Sequence, residues 1–520
     1  VTGDAFGTAA LRAAVLEAWR ALPARLREDA NTEEDHARGY YRDRVLVELA
    51  QNASDAAIRA GVPGHLLLRL ARTADGAVLV AANTGEPLTA QGVASLASMR
   101  ASAKRDGRTV GRFGVGFAAV RAVSDEIGVL STSGGVRFSL GDTAAALAAA
   151  SADVPGLADE VRRRDGSLPA LRLPWPAEGV PPTGYDTAVV LELRDELAAD
   201  EVAGLLAGVD DALLLGLPGL VEIVVEDDER IRRLADVERR WMVTTSEGEL
   251  PLALLADRPV EERDARAWRV TWAVPRDGQD WPRVVHAPTP TDDALTLPAL
   301  LVATLPLDPT RRHVAAGRLT DALLDRAAEA YAALAARVAE DGDVLALVPI
   351  GLAGGHVDAA LAERIVERLG RTPLLPGAGG LVAPQAAVVT DPQLDERAAA
   401  AMATHVSGLV RIPERFSSQA RVLGVETRPL SEVVDELPLA LGPDVYDALG
   451  AAADDPLVRE ALAALPVPLA GGRTVRGARG ALLLDADDVG RLAPATLRAL
   501  TTWGVRIVDP VAAHPVLERL

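Results

Sequence analysis

The segment RDRVLVELAQNASDAAIRA, residues 42–60, restricts what the chain can fold into more than any other stretch. At a period of 3.6 it places Val45, Leu49, Ala53, Ala56 and Ala60 on one helix face and Glu48, Asn52, Asp55 and Arg59 on the neighbouring one. Asn and Asp are poor residues for a helix interior, because their short side chains compete for nearby backbone groups. A carboxylate, an amide and a second carboxylate at i, i+4 and i+7 therefore point to a use other than helix propensity. Oxygen ligands in this pattern suit a hydrated hard cation such as Mg²⁺ beside a polyphosphate. A carboxylate one turn away would then orient or deprotonate an attacking water. The alternative is an ordinary amphipathic helix with a solvated polar face, and the helix alone does not separate the two.

Two further stretches bear on that choice. Residues 78–96 open as a buried-strand run, end it at Asn83-Thr84-Gly85, and continue into a short helical pattern. Downstream, Gly111-Arg112-Phe113-Gly114-Val115-Gly116-Phe117 leads into AAVRAV, a helix start. A Gly-rich turn entering a helix offers unpaired backbone N–H groups and partial positive charge, which suit phosphate. Between them, residues 92–109 are short-sided and polar, a composition with little to bury, and they are expected to form a lid over the site.

The ordered set ELAQNASDA, NTGEPLT and GRFGVGF resembles the ATP-binding domain shared by Hsp90-type chaperones, gyrase B-type topoisomerases, histidine kinases and MutL-type repair proteins, most closely its sacsin-like branch. The resemblance is clear to about residue 134 and weaker into the early 300s. It implies a layered α/β nucleotide domain binding ATP/ADP and Mg²⁺. Glu48 takes the place of the catalytic base and Asn52 that of the metal-binding amide, with Asp55 in support. Asn83 and Gly85 fall in the adenine-recognising segment, and Gly111 to Phe117 match the box that closes over the phosphates. The family commonly has Asp where this chain has Asn83, which replaces a pure acceptor with a group that both accepts and donates. The implied activity is slow ATP hydrolysis driving closure, with a chaperone-like role, a protein client and a homodimer as expected partners. The alternative is a nucleotide-dependent sensor or scaffold without turnover.

Composition narrows the rest. The net charge of −20 and the absence of a long Lys/Arg run argue against a nucleic-acid partner. Arg162, Arg163 and Arg164 form the most basic tract and read as a solvated linker. With no cysteine, disulfides and thiolate zinc sites are excluded. The absence of a signal-like start or a long apolar run predicts a cytoplasmic protein without a membrane span. Lys104 is the sole lysine, and its place just before the glycine box makes it a candidate phosphate or lid contact.

Along the chain, residues 6–27 read as one amphipathic helix followed by a polar stretch, 28–37. Strands are expected at 65–70, 77–82, 123–131, 135–140 and 187–193. Three domains follow: 1–199 for nucleotide, 200–345 as a middle α/β domain, and 346–520 as a mixed α/β region of no assigned role. The resemblance further implies an arginine from the middle domain reaching the γ-phosphate, and Arg311 and Arg312 are the candidates.

Overall fold

The computed structural model describes residues 4–38, 44–74, 76–98, 116–227, 230–258, 263, 266–276, 278, 280–287, 289–308, 310, 312–470, 472–484 and 491–520. The chain divides into two units, residues 1–295 with 299–330, and residues 296–298 with 331–520. Each is mixed α/β.

The first unit begins with α1 (Thr8–Ala21), α2 (Pro23–Arg38) and α3 (Val45–Ala60), then β1 (Gly64–Thr73), β2 (Gly76–Asn83) and α4 (Ala90–Ser98). A 3-10 turn, Gly116–Ala122, leads into β3 (Ser124–Ser131) and β4 (Gly134–Ser139). Next come α5 (Leu140–Ser151), α6 (Pro155–Arg164), a second 3-10 turn Ala170–Arg172, β5 (Trp175–Ala177) and β6 (Thr187–Leu193). The run closes with α7 (Glu196–Ala207), α8 (Asp211–Gly216), β7 (Leu220–Asp227) and β8 (Arg230–Ala235). These strands form one sheet in the order β5-β4-β3-β6-β2-β1-β7-β8. Strands β1 and β7 are parallel and the other neighbours antiparallel.

Alternation along the strands decides where the helices lie. Leu66, Leu68 and Leu70 of β1 face the same way as Leu79 and Ala81 of β2, and all are buried in one core with Val45, Leu49 and Ala53 of α3 and Val202 and Leu206 of α7. Leu67, Ala82 and Ala188 form a separate small cluster on the opposite face. Helix α3 ends where Gly61 takes a left-handed conformation, φ 67°, and its N–H returns to the carbonyls of Ala57 and Ile58.

Several expectations change. The predicted helix over 6–27 is two helices, because Pro23 supplies no N–H to the preceding turn and opens α2 instead. The polar stretch 28–37 is helical throughout, and Glu33 in it is buried. Arg162, Arg163 and Arg164 are not a linker but the last turn of α6, where Arg164 pairs with Glu160 at 3.3 Å and Glu34 at 3.4 Å. The expected boundary at 199/200 falls inside α7. Beyond it, β7 and β8 extend the first sheet, because the parallel pairing of β7 with β1 adds strands on that side. The expected boundary at 345/346 likewise gives way to a division at 330/331, within α10 (Arg318–Asp341).

After α9 (Val237–Arg240), the first unit carries a five-stranded sheet of β9 (Trp241–Glu249), β10 (Ala267–Pro275), β11 (Val284–His286), β12 (Pro290–Ala294) and β13 (Leu300–Ala303), ordered β12-β11-β13-β10-β9. His286 on β11 is buried, with Nδ1 3.1 Å from the Val284 carbonyl. Burial lowers its pKa from 6.5 to about 4, although the carbonyls of Val284 and Leu301 pull the other way. The native ring therefore stays neutral while the unfolded one protonates below 6.5. Stability should be flat above that pH and fall between 6.5 and about 4, by up to about 3 kcal/mol. Thermal midpoints against pH for the parent and His286→Gln test this: the variant should lose less on acidification, and a pH-independent offset would refute it.

The second unit has a core shared by short helices, including Glu396–Ala403, Leu430–Asp435 and Pro443–Ala452, and among its described residues the strands pair into four two-stranded sheets. The run at 409–412, read as strand-like, makes one isolated bridge, Val388 to Leu409. Among the described residues, no helix is long and apolar enough to cross a membrane.

Candidate functional site

Helix α3 is buried on more than its apolar face. Glu48 is 7% exposed and Asp55 0%, Asn52 is half-buried, and only Arg59 and Ala60 at the end are open to solvent. A solvated polar face is therefore not what Glu48 and Asp55 belong to. A buried carboxylate is costly without partners, so both acids mark a polar interior on this side of the helix.

Four glycines explain how the surrounding backbone comes so near. A Cβ at Gly116 would overlap the Glu48 carboxylate, so the start of the 3-10 turn lies directly on the acid. Gly85, at φ 131°, lies against the backbone of Ala56 and Ala57, where a Cβ would sit 2.6 Å from the Ala56 carbonyl carbon. Gly64 touches Ala57, and Gly219 touches the Ser54 backbone. Hydrogen bonds fasten the same contacts. Glu86 N donates to Ala56 O at 3.0 Å, Gly64 N to Gly219 O at 2.9 Å, and Gly219 N to Ser54 Oγ at 3.0 Å. Small residues at Ala53, Ser54, Ala56 and Ala57 are what permit this approach.

The end of β2 completes one wall. Asn83 pairs across the sheet with Thr187, which pairs in turn with Ser131, so the three form a polar row at the end of the face that α3 covers. Ser131 Oγ lies 3.0 Å from Thr187 Oγ1 and accepts from Leu88 N at 3.0 Å, and Asp186 Oδ2 accepts from Gly85 N at 2.9 Å. Asn83 Nδ2 donates to the Thr84 carbonyl at 3.0 Å. One of the two N–H donors of the Asn83 amide is thus spent locally.

The sequence motifs are brought together unevenly. Glu48, Asn52, Asp55, Asn83, Gly85, Gly116 and Phe117 surround or directly adjoin α3, with Phe117 buried in its core. Lys104, Gly111, Arg112, Phe113, Gly114, Val115 and Arg311 lie outside the described residues. Arg312 is half-exposed and paired with Asp292 at 2.5 Å, and Asp292 N donates to Arg312 O at 2.7 Å. Its neighbour on β12, Pro290, accepts at 3.1 Å from Arg44, the N-cap residue of α3. The loop carrying Arg312 is therefore tied, through β12, to the end of α3 that bears Glu48.

Sequence reasoning missed Ser54, Gly64, Gly219, Ser131 and Thr187. Register across β2, β6 and β3 was needed to see the polar row, and the two glycines, Gly64 opening β1 and Gly219 in the turn before β7, have no motif around them. Among the described residues, no group of three His, Cys, Asp or Glu side chains is placed to hold a metal. No family model matches the chain, and no curated protein matches it.

Proposed function

We propose that the first unit binds Mg·ATP at α3 and hydrolyses it slowly, as an Hsp90-like, sacsin-like ATPase whose closure drives a chaperone-like change of shape. The observation that carries this reading is the buried Glu48 carboxylate pressed against Gly116, where the Gly-rich run enters its 3-10 turn. Helices on one face of a long mixed sheet, with the polar row of Asn83, Thr187 and Ser131 at its end, agree with the same family architecture.

In this reading Glu48 orients the hydrolytic water and takes its proton, a role that requires a fixed carboxylate. Asn52 would hold Mg²⁺ through its amide oxygen, and the ion when bound neutralises charge on the phosphates. Asp55 supports the helix side of the site, while Asn83 accepts from the base through its amide oxygen. Arg312, released from Asp292, supplies positive charge to the γ-phosphate.

Calorimetry with and without Mg²⁺, joined to a phosphate-release assay on the purified chain, tests the proposal. Asn52→Ala should weaken Mg·ATP binding about tenfold, as expected for one lost contact to a charged group, and barely change binding without Mg²⁺. Equal affinity of parent and variant for Mg·ATP would remove Asn52 from the site. A parent chain that binds no adenine nucleotide would overturn the reading.

A further inference from the structure

Helix α2 places two carboxylates, Asp29 and Glu33, one turn apart, and each is tied to a different end of the polar segment that separates α4 from Gly116. Glu33 is 3% exposed. It accepts from Arg121 Nε at 2.8 Å, from Ala170 N at 3.1 Å and from Leu171 N at 3.0 Å. Arg121 stands in the 3-10 turn that begins at Gly116, and it also donates to Ser124 O at 2.6 Å and Asp125 Oδ1 at 2.5 Å. Arg194 grips the same corner through both Asp125 oxygens at 2.9 and 3.0 Å and through the Arg121 carbonyl at 2.9 Å. Asp29 is paired at 3.2 Å with Arg172, whose guanidinium donates to Ala97 O at the end of α4.

These contacts lie on the described residues either side of 99–115. On one side, Ala97 is held by Arg172 under Asp29. On the other, Gly116 opens the turn that Arg121 anchors under Glu33. The turn Ala170–Arg172 joins the two, because Glu33 caps its backbone N–H groups and Arg172 ends it. Burial pushes the Glu33 carboxyl above its ordinary value while Arg121 and the two N–H groups draw it back. Burial would also raise Asp125, but Arg194 and Arg121 overcome this and bring it to about 2. An acid buried this fully is expensive unless its geometry is kept, so the network resists displacement.

We infer that Glu33 is a positioning residue: through Arg121 it sets the 3-10 turn so that Gly116 lies on Glu48, and α2 thereby controls the geometry of the α3 site. The functional consequence rests on the nucleotide reading above, whereas the structural coupling does not. Glu33→Gln keeps the shape of the side chain, but its amide offers one oxygen where the carboxylate offered two. The charge that holds the Arg121 guanidinium is lost whichever way the amide turns, and its NH₂ group then faces either the Leu171 N–H or both the Arg121 and Ala170 donors.

The test compares amide hydrogen exchange in Gly116–Ala122 and the first turns of α3 in the parent, Glu33→Gln and Glu160→Gln. Glu160 is the control because it pairs with Arg27 on the same helix α2, at 3.0 Å, away from Arg121. Glu33→Gln should raise exchange in Gly116–Ala122 about tenfold or more, and Glu160→Gln should leave it at the parental level. The double variant with Arg121→Met should show no further increase over Arg121→Met alone, since the effect passes through that guanidinium. In the phosphate-release assay, Glu33→Gln should lower kcat about tenfold with KM little changed, which general loss of stability would not produce. Parental exchange in Gly116–Ala122, or an equal rise in both single variants, overturns the inference. If the parent binds no nucleotide, the ATPase reading falls alone, and the exchange comparison still decides the coupling.

Discussion

On the proposed ATPase reading, replacing Glu48 with glutamine is expected to abolish most ATP turnover, by about 10²- to 10⁴-fold, without loss of Mg·ATP binding. Glutamine keeps the length and the oxygen of the side chain but has no basicity, so the water is no longer deprotonated. Affinity should be held or improved, because an anionic group facing a polyphosphate repels it in the ground state. The neighbouring glycine makes the companion experiment equally informative. Gly116→Ala would thrust a methyl onto the Glu48 carboxylate. Single-turnover phosphate release with calorimetry separates the cases: Glu48→Gln should bind without hydrolysing. Hydrolysis at the parental rate in Glu48→Gln would show that another group activates the water.

Much of the first sheet and of α3 is legible in the sequence, and the reasons are physical. Residues of α3, β1, β2 and β6 show strong periodicity because one face of each meets the core, and β6 was read with its observed bounds, Thr187–Leu193. Strand β8, RIRRLA, was invisible because it is an edge strand with four of its residues exposed, so its sequence lacks a buried alternation. Residues 28–37 of α2 read as a polar stretch because much of their tertiary anchoring is made by Asp29, Glu33 and Glu34, which pair with arginines more than 80 residues away. Asn52 and Asp55 are recognisable as unusual for a helix interior, but the burial of Glu48 shows only once Gly116 is seen to lie on its carboxylate. Gly64 and Gly219 carried no local signal, because their purpose appears only when two backbones meet.

That meeting is the basis of the largest stability effect expected outside the site itself. Gly219→Ala should destabilise the first unit by about 3 kcal/mol, at the upper end of overpacking costs, because the nearest atom the added methyl meets is a backbone carbonyl oxygen that cannot swing aside. It would overlap the Ser54 carbonyl oxygen and come within 2.7 Å of Ser54 Oγ and 2.9 Å of the Ser54 carbonyl carbon. The Gly219 N–H bond to Ser54 Oγ and the Gly64 N–H bond to Gly219 O would be disturbed together. Relief requires α3 to move off the sheet, so Mg·ATP affinity should fall with stability. Gly204→Ala supplies the contrast. It lies in α7 with nothing within 4 Å of its would-be Cβ, and alanine there should stabilise by about 0.5–1 kcal/mol through helix propensity alone. Thermal melts of the two variants should therefore shift in opposite directions, downward by several degrees for Gly219→Ala. A Gly219→Ala chain that melts at or above the parent would mean that α3 is not pinned to the sheet through this glycine, and the geometry that places Glu48 and Asn52 would need another explanation.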